Sequence, residues 1–223
     1  MSRPVEILVT GFGPFPRVRV NPTTTLARAV AQRLKRAGWA AEALVLPTSY
    51  AGGLPRLGAA LVEKRPRAVL MLGVAARSRA IRVELFARGN ASRLLPDAAG
   101  AAPGRRVAAP NLPRRSTASP QPALRALRQA GLRASFSASA GRYLCDSSYA
   151  LALEALGPAR VPVLFVHVPY LRPQPGQRPA GRVAGFRPGA EPLARALVEI
   201  AAGLARSGRG DRAGMGQKRR HDP

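Results

Sequence analysis

The sequence predicts an α/β domain built on a largely parallel sheet. Two observations carry that prediction. Short apolar runs that end on glycine or proline alternate with stretches of helical spacing. The first of those runs is apolar at consecutive positions, as a strand buried on both faces is. A chain of 223 residues with 46% hydrophobic content can fill one core, so a single domain over 1–206 is expected.

Taken in order, residues 5–10 (Val-Glu-Ile-Leu-Val-Thr) form the first strand, and Gly11-Phe12-Gly13-Pro14-Phe15-Pro16 forces a loop. Asn21-Pro22-Thr23 reads as a helix start, with proline in its first turn. Leu26, Ala29, Val30 and Leu34 carry helical spacing as far as Gly38. A strand follows over 41–46, a helix over 51–65 closed by Pro66, and a short apolar strand over 68–73. Ile81, Val83 and Leu85 alternate, predicting a strand within 80–90. Residues 96–122 are rich in Ala, Pro, Gly and Arg and read as an irregular excursion. A helix over 122–130, a strand over 132–137 and a helix over 145–156 come next. Val161–Val168 is the clearest strand, stopped by Pro169. Residues 170–188 read as loop, and Leu193, Leu197, Ile200 and Leu204 mark a last amphipathic helix over 190–205. From Ser207 the apolar periodicity ends, which predicts a basic disordered tail over 207–223.

The formal charge of +25 raises the question of nucleic acid. Only Lys35, Lys64 and Lys218 are lysines, and the arginines are scattered among alanine, proline and glycine through the whole chain. No helix-turn-helix, aromatic-laced sheet motif or zinc finger accompanies them, so no specific nucleic-acid partner is expected. No stretch reaches the ~18 apolar residues of a membrane span, and the first apolar run is too short for a signal-peptide core. A cytoplasmic protein with no membrane partner is the expectation. One cysteine rules out an internal disulfide and a cysteine-based zinc site.

That cysteine, Cys145, lies where a glycine-containing turn hands over to a helix. A lone cysteine is ordinarily a small buried hydrophobe. At a helix start, however, unpaired backbone N–H groups favour thiolate and could hold an oxyanion. His167 ends an apolar strand, at the edge where α/β sheets build active sites. An imidazole there could take the thiol proton. A third group should orient the ring, and Glu84, Asp97, Asp146 and Glu154 are the candidates. Glu84 stands out because its context, Ile81-Arg82-Val83-Glu84-Leu85-Phe86, is apolar, although an ion pair with an arginine would also account for it.

Four blocks resemble one family, pyroglutamyl peptidase I. Gly11-Phe12-Gly13-Pro14-Phe15 with Asn21-Pro22-Thr23 is similar to its N-terminal signature. Ser139-Ala140-Gly141-Arg142-Tyr143-Leu144-Cys145 resembles its nucleophile motif, and Phe165-Val166-His167-Val168-Pro169 its histidine strand end. Gly73-Val74-Ala75 with Ile81 and Glu84-Leu85-Phe86-Ala87 resembles the block carrying its acidic residue. The resemblance implies a three-layer α/β/α sandwich with a mostly parallel, twisted sheet. It implies a cysteine exopeptidase that removes an N-terminal pyroglutamate (5-oxoproline) from peptides, with no cofactor and with a homo-oligomer, tetramer or dimer. By motif position Cys145 matches the nucleophile, His167 the base and Glu84 the acidic partner. Phe12 and Phe15 match the aromatics around the lactam ring. Val74 falls at a substrate-binding position where the family usually has glutamine or leucine.

The chain also departs from the pattern. Asp146 replaces the asparagine that usually follows the cysteine, and a carboxylate there should raise the thiol's pKa. Asn90 falls one place late, Arg93 is two leucines away from Pro96-Asp97, and Ala76-Arg77 replaces a glycine pair. These departures leave open a divergent or inactive member of the fold with another N-capped peptide substrate. An arginine-rich nucleic-acid-associated protein is the reading from a different class.

Overall fold

A computed structural model describes residues 5–15, 18–103, 113–173 and 183–218, with 209–218 described by backbone alone. The expected excursions at 96–122 and 170–188 and the end of the tail lie partly outside the described residues. The described residues form eight strands and five helices in the order β1 (Ile7–Phe12), α1 (Pro22–Arg36), β2 (Ala41–Leu46), α2 (Tyr50–Lys64), β3 (Ala68–Val74), β4 (Ile81–Glu84), β5 (Phe86–Ala87), β6 (Arg114–Arg115), α3 (Pro120–Gln129), β7 (Ala134–Ser137), α4 (Leu144–Leu156), β8 (Val163–Val168) and α5 (Ala190–Lys218).

Six strands form the central sheet in the order β2-β1-β3-β8-β4-β7. Every neighbouring pair is parallel except β4 with β8. The exception follows from chain length. Only residues 75–80 join β3 to β4, too few for the crossover of a dozen or more residues that a parallel return needs.

Side-chain alternation sorts the helices into two layers. Ile7, Val9, Leu70, Leu72, Leu164 and Val166 point to one face and pack with α1, α3 and α5. Leu8, Val69, Met71, Val163 and Phe165 point to the other and pack with α2 and α4. The molecule is therefore a three-layer α/β/α sandwich. His167 follows Val163 and Phe165 at steps of two, so it faces the α4 layer. Arg82 and Glu84 face the same way, because Ile81 and Val83 belong to the opposite cluster.

Local differences from the sequence-based expectation have local causes. The strand expected within 80–90 breaks at Leu85, whose N–H bonds to Ser137 and whose carbonyl accepts from the Ser116 N–H. The chain then leaves the main sheet, and Phe86–Ala87 pairs with Arg114–Arg115 inside the expected irregular excursion. Helix α5 runs from Ala190 to Lys218, into the stretch from Ser207 for which a disordered tail is expected. Gly208 is still packed: a Cβ there would stand 2.9 Å from the Arg67 carbonyl oxygen and 3.1 Å from Pro162. Extending a helix that is already formed needs no new nucleus, and no proline interrupts the chain between Leu193 and Asp222. Among the described residues no helix is long and apolar enough to cross a membrane.

Candidate active site

The N-terminal signature builds one wall of the site. Gly11 lets β1 run against the start of α1, since a Cβ there would fall 2.3 Å from the Thr23 carbonyl oxygen. Asn21 caps α1 by accepting from the Thr23 N–H at 3.1 Å, and its Nδ2 donates to the Gly13 carbonyl at 2.9 Å. Thr23 Oγ1 accepts from the Phe12 N–H at 2.9 Å, while Thr24 Oγ1 donates to the Phe12 carbonyl at 2.6 Å. Thr48 Oγ1 adds a bond to the Gly13 carbonyl at 3.0 Å. Phe12, at the end of β1, and Phe15, in the loop after it, thus flank backbone that is tied to α1 and to Thr48.

A cavity of about 640 Å³ opens beside them. Cys145, His167, Phe12, Phe15 and Val74 all line it. Glu84, the remaining candidate, is fully buried behind the imidazole, with Oε1 2.8 Å from His167 Nδ1. A carboxylate can only accept, so Nδ1 carries the ring's proton and Nε2 is left with its lone pair free. The Arg82 Nε lies 3.3 Å from the same Oε1, and Arg82 is the cross-strand neighbour of His167. Across the other edge of β8 stands Gly73. A Cβ there would be 2.8 Å from His167 Nε2 and 2.8 Å from the Phe165 ring, so the absent side chain leaves room for the imidazole.

Cys145 is the second residue of α4 and is partly open to the cavity. The helix start does not win the thiolate that the sequence led one to expect. Burial pushes the thiol up to about 12, the Glu84 and Asp146 carboxylates push the same way, and Arg82 and a backbone N–H only offset them. The like-charge effect expected of Asp146 is real but ranks behind burial and Glu84. Burial likewise holds His167 below the usual imidazole range, against the upward pull of Glu84. Burial thus favours the uncharged form of each group, thiol at Cys145 and neutral imidazole at His167.

Of the other acidic candidates, Glu154 pairs with Arg114 at 3.6 Å, away from the cavity lining. Asp97 is buried and accepts backbone N–H bonds from Tyr50, Ala99 and Ala101. Asp146 accepts from the N–H groups of Arg88 at 2.9 Å and Asn90 at 2.7 Å. These two carboxylates anchor the loop that carries Leu94, Leu95 and Pro96 into the cavity wall. A carboxylate suits position 146 because two converging N–H donors need acceptors only. Sequence reasoning assigned no site role to Tyr143, although its motif position was legible. Its ring lies 6.0 Å from that of Phe15, and its hydroxyl donates to the Pro96 carbonyl at 3.2 Å. The parts of Leu94 and Leu95 were not legible, because only the folded loop brings them to the cavity, whereas Arg142 stands in the same motif as Tyr143.

A thiol, an imidazole and a buried carboxylate at one cavity are the groups that acyl transfer to a thiol requires. The family model for pyroglutamyl peptidase matches residues 5–184. The chain belongs to the pyroglutamyl peptidase family. It is 34% identical over 173 residues to a pyrrolidone-carboxylate peptidase of Gloeobacter violaceus, covering 76% of this chain and 84% of that one. It is 32% identical over 207 residues to one of Streptomyces coelicolor, covering 91% and 93%. The crystal structure of pyrrolidone carboxyl peptidase from Thermus thermophilus superimposes with a TM-score of 0.71 at 30% identity, covering 89% of this chain and 97% of that one. Bacillus amyloliquefaciens pyroglutamyl peptidase I shares the fold, with a TM-score of 0.75 at 22% identity over 90% and 97% of the two chains. Members of this family are cysteine-type omega-peptidases, and this chain is one by membership. Among the described residues no group of three or more His, Cys, Asp or Glu side chains could hold a metal ion.

Proposed function

We propose that this peptidase removes N-terminal pyroglutamyl residues through Cys145, His167 and Glu84. The observation that carries the assignment is the buried Glu84–His167 pair at 2.8 Å, set behind a cavity that Cys145 lines together with Phe12 and Phe15. The lactam ring is flat and uncharged, and it suits a slot between aromatic side chains, with Val74 on the cavity wall. Nε2 of His167 accepts the thiol proton as sulfur bonds to the pyroglutamyl carbonyl carbon. A preformed thiolate is not required, and the high thiol pKa argues against one. By position, the N–H groups of Leu144 and Cys145 at the start of α4 lack intrahelical acceptors and would face the oxyanion. The C–N bond then breaks, the imidazolium returns its proton to the leaving amine, and water hydrolyses the thioester to 5-oxoproline and free thiol. Glu84 holds the tautomer and stabilises the imidazolium.

Hydrolysis of a pyroglutamyl-aminocoumarin amide tests this. Turnover is expected in the parent and none in Cys145→Ala, whereas hydrolysis that survives Cys145→Ala overturns the assignment. Glu84→Gln is expected to lower kcat by about 10²–10⁴. The same reading makes the enzyme a cytoplasmic homo-oligomer, tetramer or dimer, acting without a cofactor. Sedimentation velocity of the purified protein tests the assembly, and a monomer overturns that part.

A further inference from the structure

Among the described residues, the charged side chains that line the cavity are Arg77, Arg82 and Arg142, and no aspartate or glutamate lines it. The nearby carboxylates are already committed, Glu84 to His167 and Arg82, Asp146 and Asp97 to backbone N–H groups. Arg82 is therefore largely compensated. Arg77, in the turn after β3, and Arg142, three residues before Cys145, are exposed, and neither has an ion-pair or stacking partner among the described residues. This sets them apart from neighbouring arginines of this highly basic chain. Arg79 lies over Phe186, Arg187 lies over Tyr170, and Arg88 donates from Nε to the Ala138 carbonyl at 2.7 Å.

We infer that Arg77 and Arg142 select peptides carrying a carboxylate just after the pyroglutamyl residue. The inference rests on the peptidase reading above. A pyroglutamyl ring carries no charge for a guanidinium to pair with, so an anion that pairs with Arg77 and Arg142 belongs to the leaving-group side of the scissile bond. An aspartate or glutamate side chain, or the free C-terminus of a pyroglutamyl dipeptide, supplies the matching anion. Arginine offers a fork of donors suited to that group.

The test compares C-terminally amidated pyroglutamyl-Glu, pyroglutamyl-Gln and pyroglutamyl-Lys, so that only the side-chain charge differs. At low ionic strength kcat/KM should fall in that order, with Glu over Gln by about three- to tenfold, carried by KM. The preference should shrink as salt screens it. Arg77→Ala/Arg142→Ala should abolish the ranking. Arg36→Ala/Arg56→Ala removes the same charge outside the cavity lining and should keep it. Equal kcat/KM for the three peptides overturns the inference, as does an equal loss of ranking in both double variants. Calorimetric binding of the same peptides to Cys145→Ser keeps this result separate from the peptidase reading. Tighter binding of the Glu peptide supports the inference even if the parent hydrolyses none of the three, whereas equal affinities overturn it.

Discussion

Burial, ahead of any neighbouring charge, raises the Cys145 thiol to about 12, with Glu84 and then Asp146 adding to it. Alkylation by iodoacetamide, which needs the thiolate, should therefore accelerate continuously with pH beyond the range of an ordinary cysteine. Asp146→Asn removes one of the carboxylates and should speed alkylation at pH 8 by a few-fold, about the effect of one nearby charge. A rate unchanged by that substitution would show that Asp146 does not reach the thiol electrostatically. The two buried aspartates also differ in sign. Burial drives Asp146 above the usual carboxylate range in spite of N–H bonds from Arg88, Asn90 and Gly89. A group with a raised folded pKa contributes stability below its unfolded pKa and loses it as pH rises, so ionised Asp146 opposes folding at pH 7. At Asp97 burial also pushes upward, but the N–H groups of Tyr50, Ala101 and Ala99 outweigh it and the carboxyl sits below its usual range. Asp97 therefore contributes stability above the ordinary carboxylate range, lost as pH falls through it. Urea denaturation at pH 7 should show Asp97→Asn destabilised by about 2 kcal/mol. Asp146→Asn should stay near the parent, relief of the buried charge offsetting one lost acceptor.

Between elements, the site depends on how closely β3 and β8 approach. Gly73→Ala would put a methyl against His167 Nε2 at the cavity wall and the Phe165 ring in the packed core. Kinetics should show a fall in kcat with little change in KM, since the base moves while the aromatic slot stays. The Phe12–Phe15 loop makes the opposite case. Asn21→Ala removes the α1 cap and the bond to the Gly13 carbonyl. It should cost about 1 kcal/mol of stability, and KM should rise more than kcat falls. A kcat effect of the same size in both variants would show that the loop and the base are not separable in this way.

Across the whole molecule, +25 is a large charge for a chain of 223 residues, and only 11 acidic residues oppose 36 basic ones. Self-repulsion should lower stability at low ionic strength. Raising salt from ~10 mM to ~150 mM shortens the Debye length from about 30 Å to about 8 Å and should raise Tm by a few degrees. The same charge should give polyanion binding that disappears at moderate salt. Tight binding that persists there, with preference among nucleic-acid sequences, would instead mark a dedicated nucleic-acid surface. His167 adds a pH limit. Burial holds its pKa down, so its contribution to stability is complete above the ordinary imidazole range and is lost as pH falls through that range.

The sequence by itself determined the alternation of strands and helices, because apolar runs broken by Gly73, Pro47 or Pro169 have few other ways to bury themselves. It also singled out Cys145, His167 and Glu84, since a thiol, an imidazole and a carboxylate are conspicuous in apolar or glycine-turn contexts. Residue context left the acidic partner open between Glu84 and three other carboxylates, and the motif resemblance pointed to Glu84. The contact of Glu84 with His167 belongs to the tertiary structure, because it depends on β4 lying antiparallel beside β8. Asp146 was legible as an anomaly next to the cysteine, but the Arg88 and Asn90 N–H groups that accommodate it come from more than fifty residues away. The helix start of Cys145 was legible too, and it pointed toward thiolate. Burial acts against it, because desolvation is a property of the packed cavity wall and leaves no trace in the residues flanking the thiol.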